Sequence, residues 1–181
     1  KVDVPMMRQS GSFLFAETDA VKVLELPYVG NELSMVLVLP KGKPEEFAQT
    51  LDLARLHEWQ GMVARQEVDI YLPKFKFETQ YELKELLSDM GMVDAFELPP
   101  ADFSGISGHK DLYITKVIHK AIIEVNEEGS EAAAATAVVV GTKAVMHKPV
   151  FKADHPFLFM IRHNETGSIL FMGRVANPTA K

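Results

Sequence analysis

Proton transfer or metal binding in this chain would fall to its six histidines, His57, His109, His119, His147, His155 and His163. No two stand at the HExxH spacing that puts two imidazoles on one helix face, so no metal site is expected. There is no cysteine, which excludes disulfides and thiol chemistry. Ser104-Gly105-Ile106-Ser107-Gly108 does not make a GxSxG elbow, and neither a P-loop nor a GxGxxG occurs. The carboxylates form no catalytic pair, and Glu82 and Glu85 read as the wet face of a helix. His119, on a largely apolar strand face, reads as a core histidine with a hydrogen-bond partner. Lys116 and Lys120 read as rim charges. Asn164-Glu165-Thr166 has the spacing of a glycosylation acceptor in a turn, whereas Asn177-Pro178-Thr179 is blocked by its proline. These residues carry no enzyme signature.

Of 181 residues, 47% are hydrophobic, enough for one sizeable core. Nineteen basic against 25 acidic residues give a net charge of −6, which argues against nucleic acid as a partner. Apolar runs stay short of the ~18 residues that read as a membrane helix, so no membrane association is expected. No signal peptide is visible at Lys1. The chain opens on Val2-Asp3-Val4-Pro5, like a strand already under way, and a missing N-terminal portion is expected. The candidate acceptor at Asn164 leans towards an extracellular protein, with a cytoplasmic one as the alternative.

Periodicity predicts strands over 11–15, 20–28, 33–39, 67–72 and 112–125, a short one over 150–153, and a hairpin of 156–162 with 169–175. The 33–39 segment is nearly all apolar, as for a strand covered on both faces. Phe75 and Phe77 resume an alternating pattern after Pro73. Helices are expected from Pro44 to about Leu51 and from Leu53 to Val63, the second capped by Asp52. Thr79-Gln80-Tyr81-Glu82 has capping-box spacing ahead of Leu83, Leu86, Leu87 and Met90, with Gly91 as the stop. Residues 96–110 read as loop with room for a short turn of helix, and no linker divides the chain.

The stretch 127–140, Glu-Glu-Gly-Ser-Glu-Ala-Ala-Ala-Ala-Thr-Ala-Val-Val-Val, is locally undecided. Its alanines favour helix and its valines favour strand. At period two, Ser130, Ala132, Ala134, Thr136, Val138 and Val140 form a row that starts small and ends β-branched. That suits a strand sliding into a crowded sheet.

Glu127-Glu128-Gly129-Ser130-Glu131-Ala132-Ala133-Ala134-Ala135-Thr136 resembles the hinge of an inhibitory serpin reactive-centre loop. Six further motifs match that family in order. They are Val4-Pro5-Met6-Met7, Leu72-Pro73-Lys74-Phe75, Asp102-Phe103-Ser104-Gly105-Ile106, Ile118-His119-Lys120-Ala121, Asp154-His155-Pro156-Phe157-Leu158-Phe159 and Phe171-Met172-Gly173-Arg174-Val175-Ala176-Asn177-Pro178. The resemblance is to the C-terminal half of a serpin. It implies an α+β serpin fold over 1–181, mostly antiparallel sheets with three short helices, and a reactive-centre loop over 127–149. The N-terminal half is then an expected partner.

The resemblance implies a serine protease inhibitor rather than an enzyme, needing no cofactor and working as a suicide substrate. A protease cleaves the loop, becomes attached as an acyl-enzyme and is trapped when the loop inserts into the large sheet. Insertion of 130–141 would add about 40 Å of strand at ~3.3 Å per residue. Counting fourteen positions from Gly129 places the reactive bond between Lys143 and Ala144, so a trypsin-like protease is the implied partner. Loop lengths vary, and Thr142 or Val140 would suit an elastase-like enzyme. His119 matches the shutter beneath the opening sheet. The alternatives are a non-inhibitory serpin, such as a carrier or chaperone, and an inactive half-chain.

Overall fold

The computed structural model describes residues 2–43, 47, 52–127 and 148–179. The chain divides into two compact units, one of Lys1–Lys76 with Glu124–Ala180 and one of Phe77–Ile123. Both boundaries fall inside strands rather than in a linker. A Pro/Gly or charge signal therefore does not mark them.

The first unit is built on a seven-stranded sheet. Its strands are β1 (Met6–Glu17), β2 (Val21–Pro27), β3 (Leu33–Pro40), β4 (Ala64–Pro73), β7 (Val150–Lys152), β8 (Phe157–His163) and β9 (Ile169–Val175), in the order β7-β4-β1-β2-β3-β8-β9. All neighbours are antiparallel except β4 and β7. β1 is longer than its apolar pattern predicts, because Met6↔Pro73 through Phe15↔Ala64 pair along the whole of β4. Pairing partners, not side-chain alternation, set its ends.

β3 is covered on both faces, as its unbroken apolar run requires: Met35 through Leu39 are all buried. On one face Val21, Val23, Val36, Val38, Leu158 and Met160 pack with Leu56 and Trp59 of helix α1 (Leu53–Met62). Asp52 caps α1 by accepting the Arg55 N–H at 2.8 Å, worth about 1 kcal/mol. Phe47 stacks on Trp59, ring centroids 5.4 Å apart. The opposite face brings Phe75 against Phe157 and Phe159. Gly173 in β9 is required there, since a Cβ would meet the Phe159 ring at 2.7 Å.

Two charges are built into this sheet. Glu25 sits in the β2 row of Val21 and Val23, and Arg162 lies opposite Ser34 on β3. Arg162 reaches across β3, over the buried Ser34, to donate to Glu25 at 3.1 Å. Both side chains keep little solvent, 14% and 10% exposed. Removing one partner strands the other charge in a nearly dry place.

Strand β5 (Phe75–Glu82) and strand β6 (Ile118–Val125) form a separate two-stranded ribbon. Ion pairs Lys76–Glu124 at 2.6 Å, Glu78–Lys120 at 2.5 Å and Glu82–Lys116 at 3.6 Å run in opposite chain directions, as an antiparallel pair requires. Lys120, expected as a rim charge, is thus a cross-strand partner of Glu78, and Lys116, just ahead of β6, pairs with Glu82 at the end of β5. The expected capping box over 79–82 does not form. Those residues belong to β5, and α2 (Lys84–Asp89) starts at Leu83 without a side-chain cap. Strand pairing through Glu82 overrides the local capping pattern. The predicted strand over 112–125 shortens to 118–125. Ahead of it, Ile114 donates to the Ala95 carbonyl and Val117 accepts from Leu83, neither of them within a strand ladder.

Gly91 stops α2 as expected, at φ 101° with its N–H on the Ser88 carbonyl. Within 96–110, Asp94–Phe96 closes a 3-10 turn and Ser104–Ser107 forms α3. α3 is organised by Asp102, which accepts from the Ser104 hydroxyl at 2.6 Å and pairs with Lys110 at 2.6 Å. The Lys110 and Ser104 hydrogen bonds pull the Asp102 carboxyl down to about 2. Of the expected helix over 44–51 only Phe47 is among the described residues, and it is helical.

Two outcomes follow. Arg162→Leu should destabilise the fold by about 3 kcal/mol, and Glu25→Leu combined with Arg162→Leu should recover most of that. Urea unfolding checks it, and a double variant no better than the single contradicts the stranded-charge account. For Asp102 the folded-state pKa lies below the unfolded one. Its contribution is therefore present above the ordinary 3.8 and lost as pH falls towards 2. Carbon-13 NMR should give a carboxyl midpoint near 2 that Lys110→Ala moves up towards the ordinary range.

Candidate functional site

The site residues expected from sequence gather around the segment between β6 and β7. Most of that segment lies outside the described residues: Glu128 through Thr136 of the hinge, and the Lys143–Ala144 bond. Both places where it joins the described fold are clear. At the N-terminal foot, Val125 at the end of β6 is buried, and Glu127 pairs with Lys74 at 2.6 Å. At the C-terminal foot, Lys148 pairs with Glu67 at 3.4 Å. Pro149 accepts the Asp69 N–H, and β7 pairs with β4 over Asp69↔Val150, Ile70↔Phe151 and Tyr71↔Lys152. Phe151 is fully buried beneath this edge. Lys22 adds a 2.8 Å hydrogen bond to the Val150 carbonyl.

The C-terminal foot therefore holds to β4, and the N-terminal foot to the residue that follows it. Glu67 and Asp69 lie in β4, and Lys74 follows its last residue. Lys74 is seven positions on from Glu67, roughly 23 Å at about 3.3 Å per residue. The two ion pairs are exposed and individually weak, on the order of 0–1 kcal/mol each. The Lys74 ammonium, hydrogen-bonded to Glu127, holds the Glu127 carboxyl below its ordinary value. Glu127 is the one hinge residue the structure places. Its partner Lys74 carries no functional signal in sequence beyond its place in Leu72-Pro73-Lys74-Phe75.

His119 lies on β6 and is exposed, sharing a row with Ala121, Ile123 and Val125. No hydrogen bond reaches its ring among the described residues, so the partner expected of a core histidine is not present there. Asn164 sits in the turn between β8 and β9. Its Nδ2, the atom a glycan would take, donates to the Asn31 carbonyl at 2.8 Å. Its backbone N–H bonds the Glu32 carbonyl, and Oδ1 is buried without a partner among the described residues. The Thr166 hydroxyl is likewise engaged, at 2.9 Å from His163 Nδ1 and 3.0 Å from Ser168 Oγ. The acceptor triplet is thus folded into a hairpin tip that latches onto the β2–β3 turn. No group of three metal-binding side chains occurs among the described residues, and no helix of them is long and apolar enough to cross a membrane.

The Serpin family model, described as serine protease inhibitor, matches residues 1–178. Similar proteins include human Serpin B11, 45% identical over 98% of this chain and 47% of its own length. Human leukocyte elastase inhibitor is 46% identical over 97% of this chain and 49% of its own. Intracellular coagulation inhibitor 1 of Tachypleus tridentatus is 45% identical over 96% and 43%. The chain spans about half the length of the curated relatives it matches. With the family model covering nearly every residue and the order of motifs carried by an α+β fold of mostly antiparallel strands, this chain belongs to the serpin family.

Proposed function

We propose that this chain is the loop-bearing half of an inhibitory serpin: a serine protease inhibitor, not an enzyme, that offers residues 127–149 as bait. The observation that carries the reading is the anchoring of both loop feet along one short stretch, from Glu67 in β4 to Lys74 just after it. Twenty residues, 128–147, lie between Glu127 and Lys148. Fully extended they reach roughly 66–72 Å, about three times the roughly 23 Å that separates their anchors along β4. That slack is what a protease needs to seat a peptide bond in its cleft. The names of relatives, leukocyte elastase inhibitor and Intracellular coagulation inhibitor 1, support protease inhibition.

The chemistry is the protease's own. Its serine Oγ attacks the Lys143 carbonyl carbon, the Lys143–Ala144 bond breaks, and the Ala144 amine leaves with the proton, giving an ester to Lys143. Deacylation must then be slower than insertion of 130–141 as a strand. Insertion would exchange solvated backbone for ladder hydrogen bonds, each net ~0.5–1.5 kcal/mol. Ala132 and Ala134 keep the entering edge narrow. A non-inhibitory carrier or chaperone would gain nothing from so small a hinge.

A lysine at the bond favours a trypsin-like target, whose specificity pocket carries a carboxylate. The relatives named as elastase inhibitors support a second reading, cleavage after Thr142 or Val140 by an elastase-like enzyme. An N-terminal serpin half is the expected partner. Its seat is supported by the apolar side chains that this chain leaves in solvent, among them Leu170, Phe171 and Met172 on the edge strand β9, and Ile118 and Ile122 on β6. Without that half, insertion has no second flanking strand, and the chain would be inactive. The relative named Intracellular coagulation inhibitor 1 supports a cytoplasmic protein over the extracellular one. The engagement of Asn164 Nδ2 points the same way, since a folded acceptor amide is not free to carry a glycan.

Assembled with an N-terminal serpin half, Lys143→Glu should weaken trypsin inhibition by at least about a hundredfold, because the target pocket's carboxylate then faces a like charge. Unchanged inhibition would remove Lys143 from the bond. Ala134→Arg should leave cleavage intact but slow insertion, so the protease escapes. The moles of inhibitor consumed per mole of protease should rise severalfold, and equal consumption by variant and parent would contradict the small-residue hinge.

A further inference from the structure

The His155 ring sits between two groups that only accept hydrogen bonds. Nδ1 is 2.9 Å from Asp154 Oδ1, and Nε2 is 2.7 Å from the carbonyl oxygen of Pro40, 115 residues away at the end of β3. A proline carbonyl has no proton to give, and an ionised carboxylate has none either. Both ring nitrogens must therefore donate for both contacts to be made, and only the imidazolium does that.

What this bridge holds is a short strand, anchored by the buried Phe151 and by the Lys22 hydrogen bond to the Val150 carbonyl. β7 has three residues and pairs with β4 at three positions, flanked by Asp69 N–H to Pro149 and Ala153 N–H to Tyr71. The connection Ala153-Asp154-His155-Pro156 then carries the chain to β8. Within it the His155 ring reaches the Pro40 carbonyl at the end of β3.

We propose that His155 is a proton-operated clamp, closed as the imidazolium, that fastens the β7 foot of the 128–147 segment to the end of β3. This geometry stands whether or not that segment is bait. If it is, the clamp sets how readily the C-terminal foot lets go of the sheet edge.

The charges around the ring fit this role. Asp154 is kept below its ordinary carboxylate range, first by the His155 hydrogen bond and then by Lys152, whose Nζ is 3.3 Å from Oδ2. Asp154 therefore stays an acceptor until the pH drops beneath that range, which sets the acid limit of the clamp. Asp3 shares with His155 the lining of a cavity of about 460 Å³ and adds a second negative charge on that side. Lys41, next after Pro40, is taken up by Glu17 at 2.8 Å. On the alkaline side the imidazolium gives up one proton, and a lone pair then faces an oxygen lone pair. The clamp has both bonds as the imidazolium and only one as the neutral ring. With the ring 40% exposed, the effect is modest, on the order of threefold to tenfold, as for one hydrogen bond.

Amide exchange in the full chain tests this. Protection factors at Ala153 and Asp69, which remove the intrinsic pH dependence of exchange, should fall about threefold to tenfold between roughly pH 5 and pH 8.5. His155→Gln donates to the Pro40 carbonyl without titrating, so its profile should be flat. His155→Leu should be poorly protected throughout. Nitrogen-15 shifts should show both ring nitrogens of His155 protonated at about pH 5. A flat profile in the parent, the same fall in His155→Gln, or one unprotonated ring nitrogen at that pH would overturn the clamp. If His155→Leu does not fold, the parent and His155→Gln profiles decide alone.

Discussion

Strand β4 is the element on which the functional part of this chain hangs. It pairs with β1 over ten residues on one side and with β7 on the other. Lys74, just beyond its end, holds Glu127, and Glu67 within it holds Lys148. β4 and the residue just after it thus receive the two ends of the 128–147 segment. The position of β4 is secured by pairing rather than by surface charge. Val68, Ile70 and Leu72 are buried, whereas the ion pairs at the two feet are exposed and weak. The division is physically sensible. The scaffold is fixed by burial, at about 25 cal/mol per Å² of apolar surface, and the loop is tethered by contacts that can be exchanged.

Inside the sheet the opposite economy holds. Arg162 and Glu25 form a nearly dry pair across three strands, where loss of one partner is far more damaging than loss of both. The apolar rows on either face of β3 leave little room for rearrangement around it. Any motion linked to function is therefore better sought at the sheet margins, the short β7 and the edge strand β9. Those margins are also where apolar side chains remain in solvent, consistent with a serpin half that packs against more chain.

Much of this was legible in the residues, for identifiable reasons. The unbroken run of β3, the Asp52 cap, the Gly91 stop and the β8–β9 hairpin are local signals, and each is present. Misreadings occur where a distant partner decides. Thr79-Gln80-Tyr81-Glu82 has capping-box spacing, but pairing of β5 with β6 claims those residues. The strand expected from Leu112 begins only at Ile118, because 114 and 117 bond the polypeptide near Ala95 and Leu83 instead. Lys74 gave no sign of being the Glu127 partner, since ion pairs between residues 53 apart leave no trace in spacing. The proposed hinge rests on the resemblance of 127–136 to the family's motif, not on any contact.

The central claim is that 127–149 is bait whose cleavage traps the attacking enzyme. The most direct measurement is incubation with a trypsin-like serine protease, in the presence of an N-terminal serpin half. It is read by denaturing gel together with the mass of the released peptide. The account predicts a protease complex that survives SDS and a released peptide that begins at Ala144. Cleavage outside residues 140–144, or complete turnover with free protease recovered and no complex, would contradict it.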